Sequence, residues 1–296
     1  MYTAYSEPQA SDFSKPQRAG GIQLRWLAAL VALVAGGLGV YYVVALLVFL
    51  PFKLLGIDTS GNGYYAGLII IFGVLAAIAA VLYRRLFPRP ISANPALPFT
   101  APRAAALAVT GVAEYLCILL LMAILSSILD ISSDSSSSSA TATGLSGQLL
   151  SVVAYCVSAP LNEEIIFRGI AMQLALHAVR PAGDARSARG EGAEPLVSGR
   201  QFWTANILQA AAFGIFHLNL TQGIAAFIGG LLLGWVAWRC GSLKWSMLLH
   251  GCYNFGSFLA KPILAAVGVL PLFVLAPAIF ALGLRAFKRL TAGQAG

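Results

Sequence analysis

Charge is what this chain lacks most. Only 10% of its 296 residues are Asp, Glu, Lys or Arg, whereas 58% are hydrophobic and the mean hydropathy is +0.80. Soluble domains carry about 25% charged residues, so a soluble globular fold is excluded and a polytopic membrane protein is expected. The apolar runs are unbroken rather than alternating, which selects helices over a closed barrel. Histidine is almost absent, with three residues, and the four cysteines (Cys117, Cys156, Cys240 and Cys252) show no metal-site spacing. A disulfide framework is therefore not expected. H-E-x-x-H, G-x-S-x-G and P-loop patterns are missing, so the common soluble hydrolase and NTPase readings have no motif to stand on. No internal repeat is visible.

What is present is a series of about eight hydrophobic spans in an all-α, polytopic helical architecture, at roughly 26–50, 64–87, 104–129, 147–179, 202–218, 222–239, 244–260 and 263–285. The organisation expected along the chain is a disordered cytoplasmic tail over 1–21 and an N-terminal transmembrane scaffold over 22–144. A core over 145–260 follows, then a last helix with a basic tail over 261–296. The scaffold ends in the Ser-rich stretch 132–144, "SSDSSSSSATATG", read as a flexible outer loop. The Gly-, Arg- and Ala-rich stretch 180–200 reads as a cytoplasmic loop.

The net charge of +8 does not point to nucleic acid. If the spans alternate from a cytoplasmic N-terminus, 16 of the 19 Lys and Arg residues fall inside, Lys53 and Lys261 fall outside, and Arg168 lies within a span. This is the positive-inside pattern of a cell-membrane protein with both termini cytoplasmic. The expected surroundings are the lipid bilayer and a membrane protein or peptide substrate.

Polar residues able to do chemistry gather between 160 and 254. "SAPLNEEIIFRGI" (158–170) places three charges in an apolar stretch, at a cost of about 2.5–3.5 kcal/mol each on insertion scales. Pro160 suits a first helical turn, which would set Glu163 and Glu164 at a helix N-terminus. Glu164 and Arg168 are four apart, Glu first, the favourable order for a helical ion pair. Glu163 points about 100° away and is left as a candidate general base. "AFGIFHLNL" (212–220) carries His217 one turn after Phe213. "LLHGCYNFG" (248–256) carries His250 and Asn254 on one helix face. Each piece alone also fits a structural polar contact between helices; His177, beside a basic loop, reads as interfacial. Together, two imidazoles and a carboxylate can hold a zinc ion or orient a water directly, with Asn254 as oxyanion donor.

These three pieces resemble the CAAX protease and bacteriocin-processing (CPBP, or Abi) family of intramembrane endopeptidases. The family pattern E-E-x-x-x-R, F-x-x-x-H, H-x-x-x-N stands here as "EEIIFR" (163–168), "FGIFH" (213–217) and "HGCYN" (250–254). Gly169 and "GWVAWRCGSLKWSMLLH" (234–250) match its flanks, and the resemblance covers roughly 145–260. It implies that Glu163 activates water, supported by Glu164 and Arg168, and that His217 holds the water or a metal. His250 and Asn254 would serve the second ligand position or the oxyanion. If a metal is used, its ligands would be Glu163, His217 and His250, with zinc the expected ion; a metal-free water mechanism stays open. The expected activity is hydrolysis of a peptide bond within the membrane. The alternatives are a non-catalytic immunity or assembly factor on the same fold, and a transporter using Glu114, Glu163 and Glu164 as proton sites. For the three groups to meet, the helix bearing Glu163 is expected to begin at Pro160, with 147–159 separate or kinked.

Overall fold

The computed structural model describes residues 22–88, 90–91, 94–129, 142–180 and 197–292. The expected tail over 1–21 and most of the 132–144 and 180–200 loops lie outside these residues. Eight helices occur among the described residues, and no strand. They are α1 (Leu24–Leu54), α2 (Asn62–Leu86), α3 (Ala101–Leu129), α4 (Gly144–Val179), α5 (Gly199–Phe216), α6 (Leu220–Cys240), α7 (Leu243–Val267) and α8 (Val269–Leu290). All eight expected spans are helices, and the chain is a multi-pass membrane protein.

Six of the helices are long and apolar enough to cross a membrane on composition alone. The other two, α5 and α7, are diluted by polar residues, and the structure shows where these go. Asn206 and Gln209 of α5 are buried and donate to the Leu231 and Gly230 carbonyls of α6, both at 2.9 Å. His250 and Ser246 of α7 are buried as well. Low hydropathy here marks helices that turn polar groups inward, where they find partners away from lipid.

Two boundaries differ from expectation. The last turn falls at Gly268, whose φ of 81° suits glycine, rather than at 261–262. Pro262 lies inside α7 and does not end it. The helix bearing Glu163 does not begin at Pro160. It begins at Gly144 and runs unbroken to Val179, so neither Glu163 nor Glu164 sits in a first turn. Two π-helical tracts, Val153–Ser158 and Ile165–Ala171, accommodate the proline and reset the facing of the turns between them.

The helices meet at close backbone approaches. A Cβ on Gly111 would lie 2.7 Å from the Leu249 carbonyl oxygen, and one on Gly251 would lie 2.5 Å from that of Cys156. These contacts press α3 and α4 against α7. The pair α5–α6 is similarly tight at Gly214, where a Cβ would meet the Gly223 carbonyl at 2.6 Å.

Candidate active site

Proline at 160 determines how α4 presents its polar residues. In the π tract the Ala159 N–H bonds to the Ala154 carbonyl. The Tyr155 carbonyl would then need the N–H of residue 160, which proline lacks. An open carbonyl in a bilayer costs several kcal/mol. Asn254 of α7 closes it: its Nδ2 donates to the Tyr155 oxygen at 2.7 Å. Asn254 thus docks α7 on α4, a role its motif position does not reveal.

Three and four residues past the proline, the two glutamates diverge as their spacing requires. Glu164 is fully buried. Its Oε1 accepts from Arg168 Nη1 at 2.9 Å and from His250 Nδ1 at 2.8 Å. Arg168 is buried too, and its Nε and Nη2 meet no hydrogen-bond acceptor among the described residues. The Phe213 ring lies 4.3 Å from the guanidinium carbon instead, so the aromatic face supplies the missing negative potential. The same ring packs edge-on against His217 and His250. Phe213 therefore joins all three motifs, a role that its place in the F-x-x-x-H pattern does not state.

Glu163 points elsewhere. Its side chain is 17% exposed, against 0% for Glu164, and its Oε2 lies 3.6 Å from His250 Nε2. His250 bridges the two carboxylates, one on each ring nitrogen. Its Nδ1 donates to Glu164, and its Nε2 faces Glu163 at a distance too long for a hydrogen bond.

His217 is the C-cap of α5. Its Nδ1 donates to the Phe213 carbonyl at 2.9 Å, an oxygen left open by the helix end. This bond fixes the tautomer and presents Nε2 as an acceptor. Leu218 follows at φ 52°, the one non-glycine residue with positive φ among those described, and Asn219 caps α6 by accepting from Gln222 N–H at 2.9 Å. The chain reverses in three residues and holds His217 at the corner.

Glu163, His217, His250 and Asn254 line one cavity of about 550 Å³. Glu164 and Arg168 stand behind its wall. Convergence does not require α4 to start at Pro160, because the π tracts re-aim the helix without breaking it. Glu114 of α3 lines the same cavity, as do Tyr41 and Tyr42 of α1 and Tyr64 of α2. Sequence reasoning had no means of placing these N-terminal residues, since only packing between distant spans brings them there.

The carboxylate and two imidazole lone pairs are chemically suited to a metal. However, no three His, Cys, Asp or Glu side chains among the described residues are grouped so that they could hold an ion. No step below passes through a metal. His177 stacks between Trp26 and Phe87 at centroid distances of 4.7 and 5.9 Å, away from the cavity. All four cysteines are free.

Residues 145–256 match the family Rce1-like, type II CAAX prenyl endopeptidase Rce1-like. No curated protein and no solved structure matches the chain.

Proposed function

We propose that this multi-pass membrane protein, Rce1-like over residues 145–256, is an intramembrane endopeptidase that hydrolyses a peptide bond of a membrane protein or peptide. The observation that carries the reading is the split between the two glutamates. One carboxylate has its Oε1 held by Arg168 and His250 behind the cavity wall, and the other faces the cavity beside the His250 ring.

The chemistry follows from these acceptors. A water in the cavity donates one hydrogen to Glu163 and the other to His217 Nε2. Glu163 takes the first proton as the water oxygen bonds to the carbonyl carbon of the scissile peptide. Negative charge develops on the carbonyl oxygen. The second N–H of Asn254, left over from its bond to Tyr155, is the donor available to that oxyanion. The C–N bond then breaks, Glu163 returns its proton to the leaving amine, and the new carboxylic acid ionises. Arg168 holds Glu164, and Glu164 in turn holds the His250 ring beside Glu163. Hydrocarbon around the bundle keeps bulk water out and strengthens each of these interactions.

The reading further assigns both termini and the 180–200 loop to the cytoplasmic side of the cell membrane, on the charge asymmetry alone. The test is incubation of the purified full chain, in liposomes, with apolar peptides of membrane-spanning length, wild type beside Glu163→Gln. Cleavage by the wild type and none by the variant is expected; equal cleavage by both overturns the assignment. Repeating the assay with a chelator separates a water held by the protein alone from one carried on zinc.

A further inference from the structure

The mechanism leaves one buried acid without a task. Glu114 of α3 is only 5% exposed, yet its side chain lines the catalytic cavity. It lies outside residues 145–256 and belongs to none of the three motifs. Among the described residues no hydrogen bond or direct ion pair reaches its carboxylate. Arg168 is close enough to attract it electrostatically, but the direct partner of Arg168 is Glu164. An unpartnered carboxylate buried in a membrane protein is costly, and such groups mark places where something else binds.

Its position relative to the reacting groups can be read from the packing of α3 on α7. Gly111 abuts Leu249 and Tyr253, and Tyr115 abuts Gly256, so the two helices run parallel with Glu114 level with residues 253–256. That is about one helical turn beyond His250, or roughly 6 Å. An extended peptide advances about 3.3 Å per residue. A substrate strand whose scissile bond lies at Glu163 and His250 therefore brings a residue about two positions away against Glu114.

The charge balance of the cavity decides what kind of residue. Its lining holds two carboxylates, Glu114 and Glu163, and no Lys or Arg. Both imidazoles keep their Nδ1 committed to protein oxygens. The wall thus offers carboxyl oxygens and no cationic side chain of its own. Gly229 of α6 faces the Glu114 carboxylate, where a Cβ would already touch Oε1 at 3.6 Å, so the glycine leaves that side of the carboxylate open to the cavity.

We propose that Glu114 is a specificity-determining residue, binding a cationic side chain of the substrate about two residues from the scissile bond. This rests on the proteolytic reading above. The experiment is to present the liposome-reconstituted full chain with a set of apolar peptides carrying Lys, Gln or Glu at one position at a time, and to map products by mass spectrometry. Wild-type protein should favour Lys over Gln by at least about tenfold in kcat/KM near the cleaved bond, mostly through KM, as for a charge-assisted hydrogen bond. Glu114→Gln should erase that preference, bringing kcat/KM for the Lys peptide to the level of the Gln peptide, and Glu114→Asp should keep part of it. A thermal melt of each variant shows that it is folded. No preference for Lys in the wild type, a preference for Glu, or an unchanged preference in Glu114→Gln would each overturn the assignment. Cleavage of no peptide at all would instead count against the proteolytic reading.

Discussion

Replacing each of the two neighbouring glutamates by glutamine should separate chemistry from architecture. Glu164→Gln removes the direct anionic partner of Arg168, whose side chain has no exposure to solvent, and weakens a second charge-assisted bond to His250. Breaking a buried ion pair from one side costs about 3–5 kcal/mol, a large share of the roughly 5–15 kcal/mol that stabilises a typical fold. Glu163→Gln removes a partly exposed carboxylate whose direct polar contact is a 3.6 Å approach to His250. At 3.6 Å that approach is too long for a hydrogen bond, and its loss should cost no more than about 1 kcal/mol. The expected outcome is a folded, inactive Glu163→Gln protein with a near-native melting temperature, and a Glu164→Gln protein that melts several degrees lower or is recovered in poor yield. Both are read from detergent-solubilised protein by intrinsic fluorescence on heating, beside peptide cleavage on the same preparations. If Glu163→Gln melts early while Glu164→Gln is stable, or if Glu163→Gln still cleaves, the division of labour is refuted.

Three further outcomes are expected. Asn254→Leu should destabilise the protein by about 1–3 kcal/mol by leaving the Tyr155 carbonyl open. Adding Pro160→Ala, which restores a backbone N–H nearby, should recover part of that loss in a thermal melt; full additivity of the two changes would contradict it. Gly251→Ala should cost about 1–3 kcal/mol, because its Cβ would overlap the Cys156 carbonyl, and a wild-type melt would remove that account of the α4–α7 seam. Reporter fusions at residues 138 and 190 should give opposite signals across the membrane, and equal signals would refute the alternation of spans.

The apolar runs made the helices legible, and the i to i+4 spacing of Glu164 and Arg168 foretold their 2.9 Å contact. These are local properties, carried by neighbours along one helix. Pro160 misled because a proline in an apolar run is compatible with a helix start, a kink or a π tract, and the choice was made by Asn254, which reaches back 99 residues to Tyr155. Pro262 misled in the same way, while Gly268, one of 30 glycines, gave no hint that the turn was there. The motif residues were found through a family pattern. Glu114 and the tyrosines of α1 and α2 reach the cavity only through packing, and no spacing rule within a single span can express that.

The bond from Asn254 to Tyr155 also constrains biosynthesis. When α4 leaves the ribosome, the carbonyl it needs to close has no partner, and the helix bearing that partner has not been made. At about 5–20 residues per second, the 99 intervening residues take roughly 5–20 seconds to appear. During that interval α4 carries an open polar group that hydrocarbon does not tolerate. It must therefore be retained near water or the insertion machinery until α7 arrives. Insertion of the catalytic helix is in this way made conditional on synthesis of the helix that completes the site, and a chain truncated before residue 254 would display the open carbonyl as a mark of its own incompleteness.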